Sequence, residues 1–180
     1  MDIKEYNERS KETAQYPIPV LGDMEIAYVY PALGLCSEVL ELIQAIKLGE
    51  TEDIIVKECG DVLWYCNAII REFRLDIDLI VKQLNSFSSV ESSCEFWSDD
   101  LLKAMQKITS HLKKSILGNN GELFDKYHDD IETSISAIYS IVSFVCKEFN
   151  SSIEDCHERN LNKLLSRKER NVIVGDGDNR

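Results

Sequence analysis

Apolar residues recur at three- and four-residue spacing along most of this chain, the pattern of amphipathic helices. Leu35, Val39, Ile43 and Ile46 fall on one face of a helix over about 32–48. Ile55, Cys59, Val62, Cys66, Ile69 and Ile70 do the same over about 51–73. Ile77, Ile80, Val81 and Leu84 mark a shorter helix over 75–85, with Asp76 as its cap. Longer stripes predict helices over about 99–117 and 122–149, and Ser151 and Ser152 open a last one reaching about 166. Residues 2–15 read as a short polar helix, and Pro17 and Pro19 impose extended chain after it. The Ser-rich stretch 86–100 breaks the pattern and reads as a connector that packs Phe87, Phe96 and Trp97 on the body. The predicted class is all-α, a helical bundle formed by one domain over 1–180, with 171–180 as an irregular tail.

Composition narrows the function classes. The 180 residues are 44% apolar and 29% charged, enough for one domain with a real core. The net charge of −12 argues against nucleic acid and anionic membrane as partners, since both need a basic face. It does not argue against a metal–nucleotide substrate, because the cation reverses the local sign. The six cysteines form no CxxC, and several fall on apolar helix faces, where a free thiol behaves as a small hydrophobe. No signal peptide or long apolar span is read, and the expected location is cytoplasmic.

Four acids stand out against the apolar runs. Glu38 and Glu41 are spaced i, i+3 on the first long helix, and Glu58 and Asp61 repeat that spacing on the second. Each pair leaves one face of its helix, on the shoulder between apolar and polar arcs. Tyr65 shares the second shoulder, while Trp64, Asn67 and Arg71 fall towards the polar arc. The link LGETED is short, with Gly49 placed to end the first helix, so the two helices are antiparallel neighbours. Four carboxylates facing one groove repel unless a cation lies between them, and hard oxygen ligands suit Mg²⁺, with Mn²⁺ as the alternative. The same pattern also fits a solvated rim on two amphipathic helices.

The chain carries a faint internal repeat. An offset of 76 lays 69–78 on 145–154, and one of 69 lays 46–49 on 115–118. Under these offsets the four acids meet Lys107, Ser110, Ser134 and Ala137, so a second half would keep the helical pair and lose the acids.

The residues Glu38-x-x-Glu41 and Glu58-x-x-Asp61, the segments TAQYP (13–17) and YPALGL (30–35), and the ending NLNKLLSRKERNVIVGDGDNR (160–180) together resemble the MazG-type nucleoside triphosphate pyrophosphohydrolases. These form a superfamily with the dimeric dUTPases and dCTP pyrophosphatases. About the first 85 and last 35 residues are covered, and 86–145 is an insertion or a degenerate second helical pair. The resemblance implies Mg²⁺ on Glu38, Glu41, Glu58 and Asp61, and hydrolysis of a nucleoside triphosphate to monophosphate and pyrophosphate. It implies substrate contacts from Tyr65, Asn160 and Lys163, while Arg167 forms with Lys168 and Arg170 a basic cluster that reads either as a phosphate contact or as a solvated helix end favoured by the helix dipole. It also implies a homo-oligomer, dimer or tetramer, with fewer subunits if the repeat is real. The chain departs from the family ending at Asn171, where relatives have Gly; Asn tolerates the left-handed backbone such a turn needs.

Two other classes fit parts of the pattern. A non-catalytic helical interaction protein on the same fold would suit the insertion and the acidic surface. A carboxylate-bridged redox metal protein would use the same acids, but none of the four stands three residues before His111, His128 or His157, the Glu-x-x-His spacing such sites use.

Overall fold

A computed structural model describes residues 1–22, 24–87 and 97–173. Among these it has seven α-helices, and the all-α class holds. α1 spans Ile3–Arg9, α2 Val29–Leu48, α3 Glu52–Phe73, α4 Ile77–Phe87, α5 Trp97–Gly118, α6 His128–Glu148 and α7 Ile153–Glu169. The expected polar helix over 2–15 is shorter, because Ser10–Thr13 tightens into a 3₁₀ turn. The extended segment after Pro17 carries a two-residue antiparallel ladder, β1 (Val20–Leu21) with β2 (Met24–Glu25). The expected aromatic packing of Phe87 and Phe96 lies outside the described side chains, and 174–180 lies outside the described residues.

Helix ends follow local chemistry. Gly49 stops α2 in left-handed backbone (φ 69°), and the Glu50 N–H reaches back to the Ala45 carbonyl. Asp76 caps α4 as expected, its Oδ1 accepting from the Asp78 and Leu79 amides. Asn171 does adopt left-handed backbone (φ 56°), and the Val172 N–H closes the end of α7 on the Arg167 carbonyl at 2.9 Å.

α3 is the central element. It lies against α2 on one side, α7 on another and α6 on a third, and the N-terminal segment runs along it. This overturns the polar arc read for that helix. Trp64 and Asn67 are buried, and Trp64 Nε1 donates to Thr13 Oγ1 at 2.9 Å. The Arg71 guanidinium donates to the Asn7 carbonyl and the Ser10 hydroxyl. Polar side chains on a covered helix face need hydrogen-bond partners: α1 with its 3₁₀ turn supplies them to Trp64 and Arg71, and Tyr139 of α6 supplies one to Asn67. α2 is long and apolar enough, by length and composition, to cross a membrane, contrary to the sequence reading. It is instead a core helix that buries Leu35, Val39, Leu42 and Ile43 and carries Glu38 and Glu41 on its flank.

The two halves share a path. After α3 the chain turns through Arg74 (φ 52°), and after α6 through Asn150 (φ 52°). Leu75 N–H bonds the Ile70 carbonyl, and Ser151 N–H bonds the Cys146 carbonyl. Asp76 caps α4 and Ser152 caps α7. All these pairs stand at the same offset of 76. The short helices are exchanged: α4 packs on α6, where Asp76 N–H donates to buried Glu132, and α7 packs on α3. Under the offset of 69, Lys107 stands where the first half has Glu38, and it is paired with Asp130 at 2.6 Å.

Candidate active site

α2, α3 and α7 meet where the acids lie. Antiparallel packing of α2 on α3 turns Glu38 towards Glu58 and Asp61, and one oxygen from each of the three lies within 4.8 Å of the others. Glu58 is buried, whereas Glu38 and Asp61 are partly exposed. Glu41 stands outside this trio. Its side chain is exposed at the rim, where Ser37 Oγ donates to it at 2.8 Å. Lys57 Nζ lies 3.2 Å from Glu58 Oε1, so this lysine belongs to the site wall and not to a merely solvated surface.

α7 holds Asp61 from the other side. Asn160 Nδ2 donates to Asp61 Oδ1 at 2.7 Å, and Lys163 Nζ lies 2.5 and 2.6 Å from its two oxygens. This approach depends on Gly60. A methyl group there would lie 2.9 Å from the Asn160 Cβ and 3.2 Å from the Cys156 carbonyl, so any larger residue would push α7 away. The resemblance assigns Asn160 and Lys163 to substrate; in this structure both are engaged with a carboxylate.

A cavity of about 340 Å³ opens beside the acids. Glu38, Glu41, Glu58 and Asp61 line it, as do Tyr65 and Arg167. Aromatic rings also line the cavity, including residues the sequence reading did not assign to substrate. Tyr16 and Tyr30 stack with ring centroids 5.2 Å apart, and Trp64 meets Tyr65 edge-on at 4.9 Å. The signal was present in TAQYP and YPALGL, the two segments that bring Tyr16 and Tyr30, but their convergence is tertiary. Lys168 and Arg170, the rest of the basic cluster read with Arg167, do not line the cavity.

The charge state of the trio follows from its surroundings. Burial pushes the Glu38 carboxyl up to about 8, and the charges of Asp61, Glu41 and Glu58 add to the shift. Burial also raises Glu58, opposed by Lys57. For Glu38 the folded-state value lies above the ordinary carboxyl value, so the folded chain binds this proton more tightly than the unfolded one. The resulting stabilisation is complete below the ordinary value of 4.5 and is lost as the pH rises through about 8. The thermal midpoint of the metal-free chain is therefore expected to fall between about pH 5 and pH 8.5. Glu38→Gln should flatten that slope, as scanning calorimetry in chelator would show.

The donor set fits a hard divalent cation: three carboxylates from two packed helices, without His or Cys in the group. The thiols of the described residues lie outside this group. Cys59, Cys66, Cys146 and Cys156 are buried, and Cys36 is half-buried. Cys146 and Cys156 approach to 3.1 Å between sulfurs, in the core between α6 and α7.

Comparison with known proteins adds one relative. Over 74 residues the chain is 32% identical to the gene 37 protein of Mycobacterium phage L5. The match covers 41% of this chain and 65% of that protein, so the chain spans just under two thirds of the relative's length. No protein-family model and no solved structure matches the chain.

Proposed function

We propose that this chain is a divalent-cation-dependent hydrolase that converts a nucleoside triphosphate to the monophosphate and pyrophosphate. One observation carries the reading: three convergent carboxylates and an aromatic wall share a single cavity. An isolated acidic patch has no use for such a wall. A nucleotide needs both, a cation site for its phosphates and a flat apolar surface for its base. The motif resemblance supplies the bond that is cut.

In this reading Glu38, Glu58 and Asp61 hold Mg²⁺ or Mn²⁺, with Glu41 at the entrance. The bound cation supplies neutralisation of phosphate charge and polarisation of the phosphoryl oxygens. Water oxygen joins the α phosphorus, and the α–β bridging oxygen leaves with pyrophosphate. Tyr16, Tyr30, Trp64 and Tyr65 form the base wall. Lys57 and Arg167 line the cavity where phosphate charge accumulates. Lys163 pairs with Asp61 and orients that carboxylate. Asn160 holds Oδ1 of the same group. The exchanged packing of α4 and α7 supports a duplicated chain whose second half has lost its acids. One chain then supplies the helices of a complete site.

The test is a panel of ribo- and deoxynucleoside triphosphates with Mg²⁺, products resolved by chromatography. Monophosphate with pyrophosphate is expected, and the ranking across bases names the substrate. Diphosphate with phosphate would keep the metal-assisted chemistry and reject the assigned bond. No turnover of any nucleotide would reject the enzyme and favour the helical interaction protein.

A further inference from the structure

We propose that Tyr6, on the N-terminal helix, is a positioning residue for Asp61 and acts through Asn160. The inference rests on the reading of Asp61 as a cation ligand. It adds to that reading a residue distant in sequence and out of contact with the cavity.

Tyr6 is fully buried. A buried hydroxyl is costly without a partner, and an ordinary core position is filled more cheaply by Phe. Here the hydroxyl donates to Asn160 Oδ1 at 2.7 Å. Asn160 is itself buried, and its amide nitrogen donates to Asp61 Oδ1 at 2.7 Å. Two short hydrogen bonds, the first buried and the second partly buried, thus run in series from α1 to an acid of the trio. The direction is set at both ends. The carboxylate only accepts, so the amide nitrogen must face it. The amide oxygen then faces Tyr6, whose single proton meets it.

Neighbouring groups fix the tyrosine. The His157 ring stacks on it with centroids 4.1 Å apart and planes 9° apart. His157 Nδ1 lies 3.1 Å from the Met1 carbonyl, and its Nε2 lies 3.5 Å from the Tyr139 hydroxyl. His157 and Asn160 are three residues apart on α7, so one face of that helix grips the ring and its hydroxyl together. Asn is a poor helix former, yet Asn160 sits in the interior of α7. Its side chain is placed for the two bonds and not for the helix.

Partners one step removed from a metal ligand are commonly worth about 10- to 100-fold in affinity or activity. Tyr6→Phe keeps the stacked ring and removes only the donor. Titration with Mn²⁺ should show affinity lowered at least about tenfold, and kcat should fall with little change in KM. In an Asn160→Ala background, Tyr6→Phe should add no further loss of Mn²⁺ affinity. A purely structural tyrosine gives a different pattern: a lower Tm with Mn²⁺ affinity and kcat unchanged, or losses that add in the double variant. Either result overturns the proposal. If the wild-type chain binds no Mn²⁺, the reading of the acids fails on its own, and the brace is judged in the metal-free chain by hydrogen exchange of the Asn160 side-chain amide. Slow exchange in the wild type that becomes fast in Tyr6→Phe supports it. Equal rates in both reject it.

Discussion

Glu38→Gln should lower hydrolysis of the preferred nucleotide by about a thousandfold or more, while Glu41→Gln lowers it by only about tenfold. A thousandfold corresponds to roughly 4 kcal/mol, the scale of charge stabilisation a lost metal position removes. The contrast comes from the geometry. Glu38 shares a site with Glu58 and Asp61, whereas Glu41 is exposed at the rim. The amide is nearly isosteric, so the fold should survive. Because Glu38 is half-buried among like charges, its neutralisation should hold or raise the Tm of the metal-free chain above neutral pH. Loss of activity together with retained stability would separate function from folding. Full turnover by Glu38→Gln would falsify the assignment of the trio. Asp61→Asn is a poorer test, because it strands the Lys163 ammonium that pairs with it.

Gly34→Ala should evict Tyr65 from the cavity wall. Gly34 lies inside α2, where Ala is ordinarily better by about 1 kcal/mol. Here the added methyl would overlap the Tyr65 ring, 2.1 Å from its nearest carbon. The overlap is with a side chain and not with backbone, so the ring can swing away, but it then leaves its contacts with Trp64 and Tyr30. Overpacking of this kind costs about 1–3 kcal/mol, which matches or exceeds the helical gain. The Tm should stay level or fall slightly. The larger effect should appear in substrate binding, with KM raised about tenfold or more as a base-stacking surface worth about 1–3 kcal/mol is lost. Tyr65→Ala should raise KM similarly, and combining it with Gly34→Ala should add little. Additive losses would show that Gly34 matters for some reason other than seating Tyr65.

Much of this was legible in the sequence because it depends on local spacing. Helical periodicity located five of the six longer helices to within three residues at each end, while α6 starts at His128 and not near 122, and Gly49, Asp76 and Ser152 marked boundaries through backbone and capping preferences. The i, i+3 spacing put each pair of acids on one helix face. A two-sided helical wheel does not describe a helix packed on three sides. Trp64, Asn67 and Arg71 were assigned to water because a wheel for a two-sided helix has a wet arc. α3 has no wet arc there, since residues 1–13, α7 and, at Asn67, Tyr139 of α6 cover those positions. Likewise four equivalent acids were expected, and the packing of α2 on α3 brings only three together.

By itself the sequence determined the helical class, the order of the helices and the placement of acids on the shoulders of α2 and α3. Those properties follow from residue type and from neighbours within a few positions. Only the tertiary structure decided that α7 returns to α3 and α4 crosses to α6. It alone brought Asn160 and Lys163 to Asp61, set Tyr16 and Tyr30 against Trp64 and Tyr65, and joined Tyr6 to the site. Each of these is a contact between segments far apart in the chain, fixed by which apolar faces bury together and by how closely Gly34 and Gly60 let their neighbours approach. No local pattern encodes that choice.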